Sequence, residues 1–260
     1  MPLNLTPLLA ETYEPGMNPT GWWLSEKLDG IRCCWDHTRR TFRSRNGNAF
    51  AVPKAFIEKL PDLPLDGELW ISRGQFDRTS SVVRSAGDKG WVDVTFMLFD
   101  IPMREAGPFE ERYEVLQHLA KLGLGSRVKV LTQTKCTGLA MLEQTMDYIV
   151  ENGGEGLMLR KPGSLYEHRR SSTLLKYKRM LDAEAVVVGY QPGEGRHTGS
   201  MGALHCVLPS GKNFKVGTGF SDAERANPPP IGCTISFKYQ ELTKSGTPRF
   251  PAFVRIRNPE

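Results

Sequence analysis

Short polar signals punctuate the first two-thirds of the chain, and each carries residues suited to phosphate chemistry. SEKLDGIR holds Glu26, Lys27, Asp29, Gly30 and Arg32; SRNG holds Arg45; LDGELW holds Asp66 and Glu68. FMLFDIP holds Phe99 and Asp100, GGEGLMLR holds Glu155 and Arg160, and LLKYKR holds Lys176 and Lys178. Lys27 lies between apolar Leu24 and Leu28, beside an Asp29-Gly30 turn, where an amine can be held and partly desolvated. A lysine attacks only as the neutral amine, and an ordinary one, with a pKa of about 10.4, is almost wholly protonated at neutrality. Neighbouring cations and a metal ion favour the neutral form. Lys176 and Lys178 could supply such cations: they alternate with Leu175 and Tyr177, so a strand would face both to one side. Asp66 and Glu68 share that spacing. Glu155 stands between two glycines at the mouth of the apolar run Leu157–Leu159, as a structural ion-pair partner or as a ligand for a hard cation. Each residue alone has an ordinary reading: a solvated lysine, a paired acid, a core phenylalanine.

The elements that must position these residues follow from periodicity. Trp22–Leu28 and Ile31–Trp35 are apolar-rich runs on either side of Asp29-Gly30, a hairpin-like turn signal. Pro53–Leu60 reads as a short helix with proline at its start. Val92–Phe99 reads as a strand, with Val92, Val94, Phe96 and Leu98 alternating against Asp93, Thr95, Met97 and Phe99. Phe109–Leu122 is a helix ended by Gly123, and Leu139–Asn152 is another, with Leu142, Met146 and Ile149 on one stripe. From Ala183 onward the runs are strand-like: Ala183–Tyr190, Ala203–Leu208, Phe214–Gly219, Thr234–Glu241 and Ala252–Arg257. Turn-rich pieces separate them and no convincing helix intervenes, which predicts a small β-barrel. The boundary falls near Leu181-Asp182, giving domains over 1–181 and 182–260.

Taken in order, KxDGxR, SRxG, DGE, FD, EGxxLR and KxK resemble the covalent nucleotidyltransferase superfamily of ATP-dependent DNA ligases, RNA ligases and mRNA capping enzymes. The ending TKSGTPRFPAFVRIR, with Arg249 at its centre, and the stretch DAEAVVVGYQPGEGRHTGSMGAL look like the oligonucleotide-binding (OB) part of the compact bacterial and viral DNA ligases. These endings favour DNA ligation over RNA ligation or capping. The resemblance implies an α+β fold: an adenylation domain with mainly antiparallel sheets and flanking helices, then an all-β OB-fold barrel. It implies ATP as AMP donor, magnesium or manganese, and nicked double-stranded DNA as partner, with the protein a monomer. Lys27 would attack the α-phosphorus and hold AMP as a phosphoramidate. Asp29 would orient its loop; Glu26, Arg32, Arg45, Glu68, Phe99 and Glu155 would form the nucleotide site; Lys176 and Lys178 would neutralise phosphates. Glu68 and Glu155 would hold the metal, and Arg249 would act in the first step. Nucleotidyl transfer needs positioning and charge neutralisation above all, which such a set supplies. Two departures stand out. An acidic residue expected beyond the RIR-like strand is replaced, if at all, by Glu260. The sequence as read shows no extra N-terminal DNA-binding domain and no zinc finger, so a clamp around the duplex is expected to come from loops of these two domains or to be absent, with Lys212, Lys215, Lys238, Lys244, Arg249, Arg255 and Arg257 as a phosphate-tracking set. A non-catalytic binding module is the contrasting class, and the full set of catalytic-type residues argues against it.

Composition is compatible with all this and decides little. The 260 residues are 39% hydrophobic and 24% charged, ordinary for a globular chain. A net charge of +5 permits a polyanionic partner without demonstrating one. Five scattered cysteines with no CxxC pair indicate neither a zinc site nor a disulfide framework. No run approaches a membrane span, and MPLNLTPLLAETYEP lacks the basic and apolar parts of a leader. The chain as given is expected to be cytoplasmic, or periplasmic if a leader was removed.

Overall fold

The computed structural model describes residues 6–85, 87–243 and 245–257; Lys244 and Glu260 lie outside them. The chain divides into two compact units, Met1–Lys178 and Arg179–Glu260. The first carries, in chain order, β1 (Leu9–Thr12), β2 (Trp23–Glu26), β3 (Ile31–Asp36), β4 (Thr41–Ser44), α1 (Lys54–Ile57), β5 (Leu65–Trp70) and α2 (Phe76–Arg84). It continues with β6 (Thr95–Asp100), α3 (Phe109–Leu122), β7 (Val128–Val130), β8 (Thr134–Lys135), α4 (Leu139–Glu151), β9 (Leu157–Arg160) and β10 (Arg170–Tyr177).

These strands form two five-stranded sheets, ordered β1-β10-β9-β2-β8 and β4-β3-β5-β6-β7. Pairing is antiparallel except for β1 with β10 and β6 with β7. The expected hairpin at Asp29-Gly30 does not form. β2 pairs with β9 and β8, while β3 pairs with β4 and β5, so the turn carries the chain from one sheet to the other. The apolar residues decide this: Leu24 joins a core with Leu142, Met146 and Leu159, whereas Trp35 joins one with Phe42, Phe96 and Leu98. A turn signal specifies a bend and not which strand receives the next run. The crossing is tight. A Cβ on Gly30 would lie 2.4 Å from the Leu69 carbonyl oxygen and 2.7 Å from Glu68 Cγ.

The strand expected over Val92–Phe99 begins later. Val92 is 66% exposed on a 3-10 turn spanning Trp91–Asp93, and β6 starts at Thr95. Within β6 the buried face is Phe96, Leu98 and Asp100, which turns Phe99 to the opposite face. α3 buries Phe109, Arg112, Tyr113 and Leu116, and α4 buries Leu142, Met146 and Ile149, the stripe read from its periodicity.

One buried charge cluster binds three of these elements. Asp100, fully buried, accepts from Arg112 Nε at 2.6 Å and pairs with Arg160 Nη2 at 2.7 Å. Arg112 Nη1 also donates to the carbonyls of Gly107 and Ser164 at 2.6 and 2.9 Å. Asp100→Ala would leave two buried guanidiniums without their carboxylate. It is expected to lower stability by about 3–5 kcal/mol, read as a shifted urea midpoint at unchanged slope. A midpoint within error of the native one would refute the cluster's structural role.

The second unit carries β11 (Leu181–Pro192), β12 (Met201–Val207), β13 (Asn213–Val216), α5 (Asp222–Ala226), β14 (Thr234–Tyr239) and β15 (Ala252–Ile256). Its sheet runs β13-β12-β11-β14-β15, antiparallel throughout. A single bridge from Thr218 to Ala252 joins the ends of this OB-like sheet. Val187, Leu204, Cys206, Val216, Ile235 and Phe237 fill its core. The sequence suggested no helix here, yet α5 forms. Ser221 and Glu224 make a reciprocal capping box, and the helix is too short to show a hydrophobic period. All five cysteines are free thiols. Among the described residues, no helix is long and apolar enough to cross a membrane.

Candidate active site

A cavity of about 360 Å³ opens in the first unit, within the size range of small-molecule sites. Its walls include Glu26, Lys27, Arg32, Arg45, Glu68, Phe99, Lys176 and Lys178. Glu155 and Asp29 stand next to this wall rather than in it. Arg249 belongs to the second unit, where it pairs with Glu241 at 2.5 Å.

Lys27 immediately follows β2, and its backbone N–H donates to the Gly156 carbonyl at 2.8 Å. Its Nζ donates to Glu155 Oε2 at 2.5 Å, and Lys178 Nζ donates to Glu155 Oε1. One carboxylate thus bridges two ammonium groups. Burial pushes the Glu155 carboxyl up, but Lys27 and Lys178 outweigh it and hold it below its usual range. Burial, with Lys27 nearby, pushes the Lys178 ammonium down. Glu155 reaches this position because Gly156 has φ 151°, and a Cβ there would meet the Tyr177 carbonyl oxygen at 2.2 Å. The apolar run after Glu155 suggested an acid at the mouth of a buried strand, and β9 is that strand.

Arg32, on β3, is held from behind. Its Nε and Nη2 donate to Asp66 Oδ1 and Oδ2 at 3.0 and 2.6 Å. Tyr166, fully buried, donates its hydroxyl to Asp66 Oδ2 at 2.7 Å and accepts from the Leu8 N–H at 3.0 Å. Burial opposes the Arg32 charge, but Asp66 outweighs it and raises the guanidinium above its ordinary range. The guanidinium carbon also lies 5.2 Å from the Phe99 ring centroid. Beside it, burial pushes the Glu68 carboxyl up to about 8, while Lys27 and Arg32 pull it the other way.

Asp29 grips the end of β5 and the turn after it: its Oδ1 accepts from Trp70 Nε1 at 2.8 Å and its Oδ2 from the Gly74 N–H at 2.9 Å. Glu26 lines the cavity, but both its carboxylate oxygens are taken by Arg73, at 2.7 and 2.9 Å. Lys176 on β10 faces Met158 on β9, and both line the cavity. Sequence reasoning passed over Met158, Arg73, Asp66's partner Tyr166, and Trp70. Only Met158 carried a usable signal: with Leu157 and Leu159 inward, period two turns Met158 the other way.

Residues 7–178 match the ATP dependent DNA ligase domain family, and residues 192–257 match the DNA ligase OB-like domain family. The chain belongs to the ATP-dependent DNA ligase family. It is 35% identical over 235 residues to a DNA ligase of Haemophilus influenzae, covering 90% of this chain and 86% of that one. It superposes with TM-score 0.89 and 40% identity on a Lig E DNA ligase whose structure is described as DNA binding with a minimal scaffold, covering 96% of this chain and 98% of that one. Chlorella virus DNA ligase-adenylate gives TM-score 0.60 and 26% identity, covering 99% of this chain and all of that one. The activity of this ligase is ATP-dependent phosphodiester formation at DNA nicks through an enzyme adenylate and a DNA-adenylate.

Proposed function

We propose that Lys27 is the residue that carries AMP and that the cavity described above is its nucleotide site. The observation supporting this is the placement of Lys27 Nζ on the cavity wall, held by Glu155, with Lys178 on the same carboxylate. Adenine lies against Phe99, with Met158 on the wall beside it. Arg32 and Arg45 contact the ribose or the 5′-phosphate of the nick. Lys176 and Lys178 neutralise the phosphates. As Lys178 turns to the triphosphate, the Lys27 ammonium gives its proton to solvent while Glu155 keeps the amine in place. The neutral amine attacks the α-phosphorus, a P–N bond forms, and the bond to the pyrophosphate oxygen breaks. AMP then passes to the 5′-phosphate of nicked duplex DNA, and the 3′-hydroxyl displaces it. Asp29 holds the nucleophile loop. Arg249 acts in the first step, and one copy of the chain suffices.

A magnesium or manganese ion fits the residues present. Among the described residues no group of three or more histidine, cysteine or acidic side chains gathers. Magnesium commonly needs only one or two carboxylates, completing its shell with phosphate oxygens and water. Glu68, desolvated and raised to about 8, is such a carboxylate, and Glu155 is the second. The ion, when bound, neutralises charge on the phosphates. Raising the pH through 8 ionises Glu68 and strengthens cation binding. Sealing of a 5′-phosphate nick is therefore expected to stop on chelation. Its magnesium requirement should fall as pH rises from 7 to 9, and Glu68→Gln should raise that requirement by roughly tenfold and flatten the pH dependence. An unchanged magnesium titration in Glu68→Gln would remove this residue from the metal site.

A further inference from the structure

The loop that follows β5 holds both acidic residues flanking Lys27. Gly74 donates its N–H to Asp29, and Arg73 takes Glu26. The Arg73–Glu26 contact is bidentate: Nε to Oε1 at 2.7 Å and Nη2 to Oε2 at 2.9 Å. The remaining arm, Nη1, donates to the Asn152 carbonyl at 3.2 Å. Asn152 lies in the turn that leads from α4 to Glu155. A Cβ on Gly154 in that turn would come 3.1 Å from Glu26 Oε1, so the turn and the Glu26 carboxylate are in close contact. One guanidinium therefore touches the residue before Lys27 and the turn before the Lys27 partner. It does so from the turn after β5, and β5 lies in one sheet while β2 and β9 lie in the other. Arg73 is absent from the cavity wall.

We infer that Arg73 is a positioning residue for enzyme adenylation, its guanidinium fixing Lys27 and Glu155 relative to each other through Glu26 and the Asn152 carbonyl. The inference rests on Lys27 as the acceptor of AMP. The planar fork of arginine matches a carboxylate and still leaves a donor for the carbonyl; a lysine ammonium cannot span both at this geometry. Loss of the brace leaves Phe99, Arg32, Lys176 and Lys178 in place but lets Lys27 wander. A displacement of about 1 Å at a reacting atom costs up to about 100-fold in rate. The brace has no part in holding adenine, so ATP affinity is spared.

The test is single-turnover labelling with α-labelled ATP and magnesium over a range of ATP concentrations, for native enzyme, Arg73→Ala, Arg73→Lys and Lys27→Ala. The limiting rate is expected to fall roughly 10- to 100-fold in both Arg73 variants, while half-saturating ATP moves less than about twofold. Sealing of a pre-adenylated nick, which needs no lysine nucleophile, falls less than the labelling rate does. Low, non-denaturing guanidinium restores part of the rate to Arg73→Ala and none to Lys27→Ala. An unchanged limiting rate in Arg73→Ala, with Lys27→Ala silent, overturns the brace alone. Equal losses in labelling and in sealing of the pre-adenylated nick, with a lowered unfolding midpoint and no guanidinium rescue, reduce Arg73 to packing and overturn it too. Labelling that survives in Lys27→Ala overturns the nucleophile assignment and the brace together.

Discussion

Lys27→Arg is expected to lose sealing of 5′-phosphate nicks by at least about 10⁴-fold while remaining folded and still sealing a pre-adenylated nick. Removing a covalent nucleophile has the largest single effect available in such a site, and substitution of an acting group costs on the order of 10⁴- to 10⁶-fold. Arginine keeps the positive charge and can still pair with Glu155, so the fold has little reason to change. Lys27 is 24% exposed in its side chain, and no buried apolar contact is lost. Stability should stay within about 0.5 kcal/mol of native. The separation of the two assays is the informative part. A pre-adenylated nick needs only attack by the 3′-hydroxyl, with Arg32, Lys176 and Lys178 still around the phosphates. Loss of both activities to the same degree would place Lys27 in phosphate binding and not in covalent catalysis.

Glu155→Ala carries the second large effect, and it reaches both catalysis and stability. One carboxylate here separates two ammonium groups that share it. Without it, Lys27 and Lys178 repel each other across a partly buried site. The Lys178 ammonium, already pushed down by burial and by Lys27, loses the hydrogen bond that opposes that shift. One of the two carboxylates proposed for the metal is lost as well. Loss of a preorganised charge costs about 10²–10³-fold and disturbance of a metal site about 10–100-fold, so enzyme adenylation should fall by about 10³-fold or more. Loss of charge-assisted bonds to two ammoniums should also cost about 1.5–3 kcal/mol of stability. Glu155→Gln keeps the shape without the charge and should recover the stability better than the rate. Native adenylation kinetics in Glu155→Ala would remove it from the site altogether.

Much of this site was visible in the residue types because strands impose period two. Asp66 and Glu68, and Lys176 and Lys178, obey it, and the structure gathers Glu68 and both lysines around one cavity; Met158 obeys it too but was passed over. Phe99 shows the same rule settling an ambiguity: once Phe96 and Leu98 take the core, Phe99 must face the other way. The helices α3 and α4 were equally plain from their apolar stripes. The Asp29-Gly30 hairpin failed because a turn signal is local while strand pairing is decided by distant partners, β9 for one arm and β5 for the other. Arg73 was invisible for the same reason. Its partner Glu26 lies 47 positions away, and no local pattern distinguishes an arginine that braces a site from one in solvent. The lysine grip on Glu155 was also unreadable, since an acid between glycines before an apolar run suits a metal ligand or an ion-pair partner equally well.

The most direct measurement is to incubate the protein with ATP and magnesium, digest it, and locate any adenylate by peptide mass spectrometry. Adenylate on the peptide containing Lys27, discharged when nicked duplex DNA is added, is the expected result. Adenylate on Lys176, Lys178 or any other residue, or label on Lys27 that nicked DNA does not remove, would contradict the assignment of Lys27 as the carrier of AMP.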